Sequence, residues 1–586
     1  MKENKLIKFQ ELMKKNKIDY YIVPTSDFHS SEIAGAYFQG RKYLSGFTGS
    51  AGTLLFGLEK IYLYVDGRYF IQADQQVDLS MITVMKIGQP ECIDMMDIFN
   101  QDQTKVVGFD GRCVSHKFAA SIKNPIVSDI DLIDQVWTDR PELSKEPVYN
   151  YSIEYCGQSR KEKLAQIRDK MNADTHIVTT LDDIAYIFNL RGNDICHTPV
   201  FYSYALISKT QAILYLNKDS VSETLKMELE QDGVTIKDYY AIYDDAKTIE
   251  GSIQLDTSVV NHQIVSSLEG TVVDCMNPSQ LLKAIKNETE ISNTRIAHIK
   301  DGLAMTKFMH YLKTNIANVA MDELSANEIL TGYRQEQPDF KGLSFATICA
   351  YEQNAALMHY SATKENHARL EPRGLLLIDS GGQYLQGTID TTRTFVLGPI
   401  SDVQKHHFTL VFKAMNNLQQ ARFLHGKTGV GLDILARGII QQENLDYQCG
   451  TGHGVGHYLS VHEGPHGLRP VKRENDQDSI FEPGMIVTDE PGIYLAGEYG
   501  IRLENELLVT KGEKNFYGQF LHFETLTMVP IDLDGINLAM LNDKERKQLC
   551  DYHQLVYSNI EYGLNDIEKQ WYQETLIAPL LTSLDK

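Results

Sequence analysis

The sequence lacks long apolar runs, and this absence excludes several classes of protein. No stretch of the 586 residues approaches the ~20 consecutive apolar residues that a membrane-spanning helix requires. The N-terminal segment is rich in lysine and has no apolar core, so we expect no signal peptide there. Its apolar residues Leu6, Phe9, Leu12 and Met13 instead follow helical spacing, which predicts an amphipathic surface helix over residues 5–16.

Paired cysteines and net positive charge are also lacking. The 8 cysteines are scattered and form no CxxC motif, a pattern that favours free thiols in a reducing compartment. The 56 basic residues face 78 acidic ones, which gives a formal charge of −22. Nucleic acid and anionic membrane surfaces are therefore disfavoured as partners. We expect a cytoplasmic protein.

The length is too great for one hydrophobic core, and the pattern along the chain predicts four segments. Residues 1–145 and 146–290 each begin with an amphipathic helix, a strand and an acidic turn, which indicates two α/β domains of similar plan. The linker PELSKEPVY lies near their boundary. Residues 291–530 begin with a long helix and continue as β-rich segments, typical of an α+β domain. Residues 531–586 are predicted to form one or two helices, with Trp571 as an anchor.

Two aspartates lie at the ends of predicted strands. Asp379 ends the apolar run LLLID, and Asp390 follows GTI and precedes TTRTFV. A glycine-bearing turn between the strands would bring the two carboxylates within a few ångströms. Like charges that close must be neutralised by a cation or by protonation. Taken alone, however, the pair is weak evidence for a metal, because an aspartate at a strand end is usually a turn-forming residue.

Two glutamates repeat this arrangement, and a histidine accompanies them. Glu490 ends the run GMIVTD, and Glu504 lies on the returning strand in IRLEN. His453 lies in GTGHGVGH, where glycines on both sides let the backbone approach a ligand closely. Each residue alone also has a structural explanation. The recurrence of two acid-bearing hairpins is what favours a metal site.

The segment His462-Glu463-Gly464-Pro465-His466 matches the H-E-x-x-H signature of helical zinc sites. That chemistry needs both histidines on one face of a helix. Gly464 and Pro465 disfavour a continuous helix, because an interior proline costs ~3 kcal/mol. We therefore reject a helical zinc site here and retain His462 as a neighbour of the other candidate ligands.

Four carboxylates and one imidazole form an oxygen-rich set that suits Mn²⁺. Four negative ligands would balance two divalent ions, and two ions ~3.5–4 Å apart stabilise charge during hydrolysis. From the residues alone we therefore predict a two-metal hydrolase. This reasoning does not identify the bond that is cleaved.

At these motifs the sequence resembles the pita-bread metallopeptidases, and within them the long, three-domain Xaa-Pro aminopeptidases. The resemblance rests on LIDSGGQYLQGTIDTTRTF, GTGHGVGHYLSVHEGP, GMIVTDEPGIY and GIRLENELLV, and it extends to YLSGFTGSAG, VDGRYFIQA, IAYIFNLRGNDI and LHFETLTMVPID. Nearly the whole chain is covered. The resemblance implies two creatinase-like α/β domains, a pita-bread catalytic domain and a helical C-terminal extension. It also implies release of the N-terminal residue from peptides with proline in second position.

The resemblance assigns a role to each candidate residue. Asp379 would bind one metal ion, His453 and Glu490 would bind the other, and Asp390 and Glu504 would bridge both. Glu490 would also accept the proton of a metal-bridging water as general base. His359 and His462 would act beside the substrate, the first on the tetrahedral intermediate and the second near the scissile bond or the proline carbonyl. Arg502, grouped with the substrate-binding residues, would support Glu504, and Arg68 would be offered to the peptide by the N-terminal domain.

One residue departs from the family pattern. Many relatives have a histidine four residues before the metal-binding histidine, whereas this chain has Cys449. That histidine is usually assigned to the substrate, so the metal site should be retained. A thiol is a weaker hydrogen-bond donor and acceptor, and we expect substrate preference or rate to differ.

Several alternatives stay open at this stage. A prolidase shares the metal site but accepts only dipeptides, a creatinase-like hydrolase uses no metal, and a binding protein on the same fold usually loses its ligands. Mn²⁺ is the favoured ion, with Zn²⁺ and Co²⁺ as alternatives. The expected partners are peptides with an N-terminal Xaa-Pro sequence, and the resemblance also implies a homodimer.

Overall fold

A computed structural model of the protein describes residues 5–472 and 479–584. The chain divides into two compact units, which we describe separately. Unit 1 comprises Met1–Ser152 and Gln158–Gln280, and unit 2 comprises Ile153–Gly157 and Leu281–Lys586. Among the described residues, no helix is both long enough and apolar enough to cross a membrane.

The first half of unit 1 is an α/β sandwich around one sheet. Its helix α1 begins and ends close to the predicted limits and buries Leu6, Phe9 and Met13 against the core. The helices are α1 (Lys5–Lys15), α2 (Gly40–Ser45), α3 (Phe70–Gln76), α4 (Met95–Asn100), α5 (His116–Ser121) and α6 (Leu132–Val136). The strands are β1 (Tyr20–Pro24), β2 (Thr53–Gly57), β3 (Ile61–Val65), β4 (Ile82–Lys86), β5 (Val107–Gly108) and β6 (Ile126–Val127).

The next part of the chain repeats this plan. Its strands are β7 (Tyr149–Asn150), β8 (Thr175–Val178), β9 (Leu190–Arg191), β10 (Ser203–Ser208), β11 (Ala212–Leu216), β12 (Val234–Asp238), β13 (Ser252–Leu255) and β14 (Thr271–Asp274). Its helices are α7 (Ile153–Cys156, in unit 2), α8 (Arg160–Lys170), α9 (Leu181–Phe188), α10 (Glu223–Gln231), α11 (Ile242–Asp245), α12 (His262–Ser266) and α13 (Pro278–Ala284).

The two six-stranded sheets of unit 1 have the same topology. Their strand orders are β4-β3-β2-β1-β5-β6 and β12-β11-β10-β8-β13-β14. The pairs β1–β2 and β2–β3 of the first sheet are antiparallel, as are β8–β10 and β10–β11 of the second. The outer pairs, β3–β4 and β5–β6 in the first sheet and β11–β12 and β13–β14 in the second, are parallel. The structure therefore confirms the internal repeat that the sequence predicts.

Unit 2 contains the candidate ligands. Its helices are α14 (Glu288–Asn315), α15 (Glu323–Gln335), α16 (Asp402–Gln419), α17 (Gly429–Gln441), α18 (Asp543–Ile560), α19 (Asp566–Tyr572) and α20 (Ala578–Leu584). Its strands are β15 (Phe340–Leu343), β16 (Ile348–Tyr351), β17 (Leu375–Ser380), β18 (Gly382–Tyr384), β19 (Gly387–Thr388), β20 (Thr391–Val396), β21 (Arg422–Leu424), β22 (Gly452–His453), β23 (Gly467–Leu468), β24 (Ile486–Asp489), β25 (Gly492–Leu495), β26 (Tyr499–Arg502), β27 (Asn505–Asn515) and β28 (Gly518–Thr525).

The core of unit 2 lies between curved sheets and long helices. Helix α14 starts at a capping box formed by Asn287 and Glu290, which satisfies backbone N–H groups at its first turn. On β17, Leu376 and Ile378 pack with Phe308 of α14 in one cluster, as the two-residue period of a strand requires. The core thereby fixes the strand whose last residues carry Asp379.

Two predictions for this unit need correction. The region 340–530 is not β-rich throughout, because α16 and α17 lie within it and pack their apolar faces into the main core. In the C-terminal extension, Trp571 is only half-buried. Trp571 packs against the edge of the core, whereas the neighbouring Tyr572 is fully buried within it and is the main anchor.

Candidate metal centre

The two aspartates and the two glutamates occupy equivalent positions in two strand pairs. Strands β17 and β20 are antiparallel with Asp379 opposite Thr392, and Asp390 directly precedes β20. Strands β24 and β27 are antiparallel with Asp489 opposite Asn505. Glu490 and Glu504 flank that register position. Each pair is therefore held at the end of a ladder, although a short hairpin (β18–β19 or β25–β26) replaces the simple turn that the sequence predicts.

The predicted ligands converge. Ligand atoms of Asp379, Asp390 and Glu504 lie within 4.8 Å of one another, and the same holds for His453, Glu490 and Glu504. Asp390 and Glu504 are thus each close both to Asp379 and to His453. The Nε2 atom of His453 is 3.4 Å from Asp390 Oδ2 and 3.4 Å from Glu490 Oε1. This arrangement provides two adjacent sets of donors.

The tautomer of His453 follows from its hydrogen bond. Its Nδ1 lies 3.0 Å from the carbonyl oxygen of Gly454, and a carbonyl can only accept. Nδ1 therefore carries the proton, and Nε2 presents its lone pair toward the carboxylates. A second hydrogen bond of this kind commonly orients a metal-binding histidine.

Electrostatics at the centre favour a cation. Asp390 is 4% exposed and Glu504 is 1% exposed. Burial, followed by repulsion from Asp379 and Glu490, raises the pKa of Asp390 well above its usual value. Burial, followed by repulsion from Asp390, does the same to the pKa of Glu504. The Oδ1 atom of Asp379 is buried without a hydrogen-bond partner among the described residues. Divalent cations would offset the repulsion and take up this atom, so the residues fit metal ions.

Arg502 supports the carboxylates from behind. Its Nη2 donates to Asp379 Oδ2 at 2.5 Å, and its Nη1 donates to the hydroxyl of Tyr494 at 2.7 Å. Its Nε donates to Thr392 Oγ1 at 3.1 Å, and that hydroxyl donates to Glu504 Oε2 at 2.7 Å. The predicted support of Glu504 thus runs through Thr392, and the direct contact with Asp379 was not predicted. The buried guanidinium is enclosed by these partners, so its placement argues for support of ligands over contact with a peptide.

Sequence reasoning missed three supporting side chains. Glu506 Oε1 accepts from the backbone N–H of Asp390 at 2.7 Å, and its Oε2 lies 3.3 Å from Nε2 of buried His298. Thr488 Oγ1 accepts from the His453 N–H at 3.0 Å and donates to Glu490 Oε1 at 3.2 Å. A signal for Glu506 was present, because it lies two residues after Glu504, and residues two apart along an extended chain share a face.

The glycines beside His453 have a packing role. A Cβ on Gly452 would lie 1.8 Å from the carbonyl oxygen of Thr488, and one on Gly454 would lie 2.1 Å from the carbonyl oxygen of Glu463. Because Gly452 and Gly454 have no side chain, the strand that carries His453 can lie directly against the neighbouring backbone. Close approach to protein, as well as to a ligand, therefore explains this glycine pattern.

His462 lies beside the centre, and His359 lies outside the converging groups. The exposed His462 forms a group with Asp390 and His453, and its ring centroid is 4.2 Å from that of His453. The segment 462–466 is not helical, and His466 is buried with its Nε2 2.6 Å from the carbonyl oxygen of Ile486. The rejection of a helical zinc site is therefore confirmed. His359 is half-buried after the turn Glu352–Ala356.

The remaining predicted residues lie in well-defined surroundings. Arg68 is in unit 1, where its Nε and Nη2 each donate to the carboxylate of Asp66 at 2.8 Å. Cys449 is half-buried in unit 2 and packs at the edge of the main core. Its carbonyl oxygen accepts from Arg437 Nη2 at 2.8 Å. The roles of Arg68 and Cys449 toward a peptide stay predictions.

Comparison with known proteins agrees with this geometry. Residues 5–136 and 139–290 each match the creatinase/prolidase N-terminal domain. Residues 292–511 match metallopeptidase family M24, and residues 519–576 match the C-terminal region of that peptidase family. A probable Xaa-Pro aminopeptidase P from Botryotinia fuckeliana is 38% identical, and the match covers 98% of this chain and 92% of that protein. Its counterpart from Paracoccidioides brasiliensis is 36% identical, with 97% of each chain covered.

This chain belongs to the Xaa-Pro aminopeptidase family. Among solved structures, the X-prolyl aminopeptidase of Caenorhabditis elegans, described as a cytosolic enzyme with a di-nuclear active site, matches with a TM-score of 0.92 at 29% identity. That match covers 98% of each chain. The Xaa-Pro dipeptidase of Bacillus anthracis shares the fold at 23% identity and a TM-score of 0.50, over 64% of this chain. The long Xaa-Pro aminopeptidase plan, with creatinase-like domains before a pita-bread domain, is thus confirmed, and the protein is an enzyme of the metallopeptidase type.

Proposed function

We propose that the protein is a metal-dependent aminopeptidase that releases the N-terminal residue from peptides with proline in second position. The observation that carries this proposal is the convergence of Asp379, Asp390, His453, Glu490 and Glu504 in a chain that matches Xaa-Pro aminopeptidases over nearly its full length. The proposed specificity for proline rests on the similarity to Xaa-Pro aminopeptidases, and the proposed hydrolysis rests on the geometry of the site.

Two divalent cations would be held by these residues. Asp379 would bind one, His453 and Glu490 would bind the other, and Asp390 and Glu504, which lie close to both sets, would bridge them. The oxygen-rich donors favour Mn²⁺ over ions that prefer sulfur, with Zn²⁺ and Co²⁺ as alternatives. Such a pair would supply Lewis acidity and a water-derived nucleophile at neutral pH.

The protein's own groups would move the proton and orient the peptide. The side chain of Glu490 is 20% exposed, so a carboxylate oxygen is accessible to accept a proton from attacking water and return it to the leaving nitrogen. His462, exposed beside His453, would contact the peptide near the scissile bond. His359 would stabilise the tetrahedral intermediate, and Arg68 would contact the peptide. Arg502 would hold Asp379 and Thr392 in place.

A prolidase activity is the second candidate, because a dipeptidase shares the fold. The extent of the chain favours the aminopeptidase, since the dipeptidase match leaves about a third of this chain uncovered. A non-enzymatic role is disfavoured by the presence of every predicted ligand. We also propose domain limits of 1–145, 146–290, 291–530 and 531–586, a cytoplasmic location and a homodimer.

The test is hydrolysis of a Xaa-Pro-Xaa tripeptide after chelator treatment, with and without added Mn²⁺. A Xaa-Pro dipeptide and a Xaa-Ala-Xaa tripeptide serve as matched substrates. We expect Mn²⁺-dependent release of the first residue from the proline tripeptide alone. Cleavage of the dipeptide only would favour the prolidase, and absence of proline-dependent cleavage with Mn²⁺, Zn²⁺ or Co²⁺ would overturn the proposal. Sedimentation of the purified protein measures its oligomeric state.

A further inference from the structure

The H-E-x-x-H segment contains an acid that the catalytic proposal does not use. Glu463 directly follows His462, and its side chain is fully buried, whereas His462 is exposed. The carboxylate of Glu463 forms an ion pair with the ammonium group of Lys286, whose side chain is also fully buried. Solubility or surface charge does not explain this carboxylate, because it is buried although the histidine before it is exposed.

Lys286 is itself fixed in three ways. Its Nζ donates to the carbonyl oxygen of Lys283 at 2.8 Å as well as to Glu463. Its backbone N–H donates to the carbonyl oxygen of Gly484 at 2.9 Å. Lys286 lies immediately before α14, so the anchor belongs to the well-packed core of unit 2.

The chain that follows His462 is held at two points. The N–H of Glu463 donates to the carbonyl oxygen of Gly454 at 2.7 Å, which links it to the residue that follows His453. On the other side of Gly464 and Pro465, His466 Nε2 donates to the carbonyl oxygen of Ile486. The exposed ring of His462 therefore projects from a short segment whose next residue is anchored by a buried ion pair.

Buried ion pairs are costly, because desolvation of both charges offsets much of their attraction. An apolar pair of similar volume would often stabilise a fold as well or better. Retention of the charged pair next to His462 is therefore explained better by geometry than by stability. A displacement of about 1 Å at a reacting centre costs as much as about 100-fold in rate.

We propose that Lys286 and Glu463 are positioning residues that hold His462 over the metal centre. This proposal rests on the proposed function, because it assumes that His462 acts on the peptide. The ion pair fixes the backbone of Glu463, and the peptide bond to His462 transmits that position to the imidazole. The ammonium group of Lys286 donates to Lys283 and Glu463, neither of which is a predicted metal ligand, so we expect its replacement to leave metal binding in place.

A mutant cycle tests this coupling. The variants are Lys286→Met, His462→Ala and the two combined, with Lys313→Met as a matched control. Lys313 is a half-buried lysine of unit 2 that also forms ion pairs with acids, in its case Asp532 and Asp534. The measurements are kcat and KM for a Xaa-Pro-Xaa tripeptide and the Mn²⁺-induced shift in Tm. A Lys286→Met/Glu463→Leu double variant replaces both charges if the single variant does not fold.

We expect Lys286→Met to lower kcat by about 10- to 100-fold with His462 present and by less than twofold with His462→Ala. The Mn²⁺-induced shift in Tm should be kept in each variant. The Lys313→Met change should have the same effect in both backgrounds. Equal losses from Lys286→Met in both backgrounds, or none in either, would overturn the proposal.

A readout without catalysis separates this proposal from the proposed function. In crystals of the Lys286→Met/Glu463→Leu variant, we expect the His462 ring to move from its 4.2 Å centroid distance to His453 by more than ~1 Å, the displacement that matters for catalysis. An unmoved ring would refute the positioning role even if the wild-type enzyme proved inactive on proline peptides. An inactive wild type with a moved ring would refute only the proposed function.

Discussion

The substitution Asp390→Asn should stabilise the metal-free protein while removing its response to metal. Asp390 is buried, and burial, followed by repulsion from Asp379 and Glu490, raises its pKa well above its usual value. Without cations, the folded state therefore confines several acids that repel one another. An amide of the same shape removes one of those charges.

The size of the effect follows from the geometry. Oxygens of Asp379, Asp390 and Glu504 lie within 4.8 Å of one another, and at an effective dielectric constant of about 20 two unit charges at that distance repel by about 3.5 kcal/mol. Partial protonation relieves some of this repulsion, so we expect a gain of about 2 kcal/mol. With about 2.1 cal/mol/K of unfolding entropy per residue over the roughly 300 residues of unit 2, this corresponds to about 3 °C in Tm.

The assay is calorimetry of chelator-treated protein at pH 7.5, with and without Mn²⁺. At a metal concentration 100 times the dissociation constant, we expect about 2.7 kcal/mol of stabilisation per site in the wild type and a much smaller effect in the variant. The order of the two Tm values should thus reverse when Mn²⁺ is added. Glu513→Gln, which alters an exposed carboxylate of unit 2, should change neither value.

The pH dependence gives a second check. Because the folded-state pKa of Asp390 is raised, the metal-free wild type binds protons more readily when folded and gains stability as the pH falls through that pKa. The advantage of the variant should therefore shrink toward pH 5. A lower Tm for metal-free Asp390→Asn than for wild type, or an equal Mn²⁺ shift in both, would refute the reasoning.

Three further outcomes are expected. Arg502→Gln should weaken Mn²⁺ activation by about 10- to 100-fold, because Asp379 loses its partner; an unchanged Mn²⁺ titration of activity would contradict this. Cys449→His should change KM for proline tripeptides by about 2- to 10-fold, the worth of one hydrogen bond, without altering the Mn²⁺-induced shift in Tm; equal KM values would count against a substrate contact. Burial lowers the pKa of His553 to about 3, against about 6.5 when unfolded, so its neutral form stabilises the fold above pH 6.5 and this stability is lost as the pH falls. Between pH 7.5 and 5 the wild type should lose about 2 kcal/mol more than His553→Leu in urea unfolding, and parallel losses would exclude His553 as the cause.

The part of the centre that could be predicted is the part that local sequence patterns indicate. Asp379 and Glu490 each end an apolar run, and this placement was enough to put both at strand ends. The family resemblance then assigned a role to each of the five candidate ligands. The same local reasoning predicted α1 and the long helix α14, because apolar residues follow helical spacing in both.

The rest depends on contacts that no local pattern records. Thr392 meets Glu504 only because two separate strand pairs come together, and Lys286 meets Glu463 across 177 positions of sequence. Helices α16 and α17 were missed because the glycine-separated strands around them dominated the pattern. Trp571 was predicted as the anchor without regard to Tyr572, whereas burial depends on which face of the helix meets the core.

The supports of the four acids cross between the two strand pairs. Arg502, at the end of β26 beside the second pair, binds Asp379 of the first pair. Thr392 of the first pair binds Glu504 of the second, and Glu506 of the second binds the backbone of Asp390. The residues of the site therefore depend on one another, because a substitution in either strand pair disturbs an acid carried by the other pair. Once one ligand is lost in evolution, residues in both strand pairs are no longer selected for metal binding. We therefore expect relatives either to keep the whole set of ligands and supports or to lose it together.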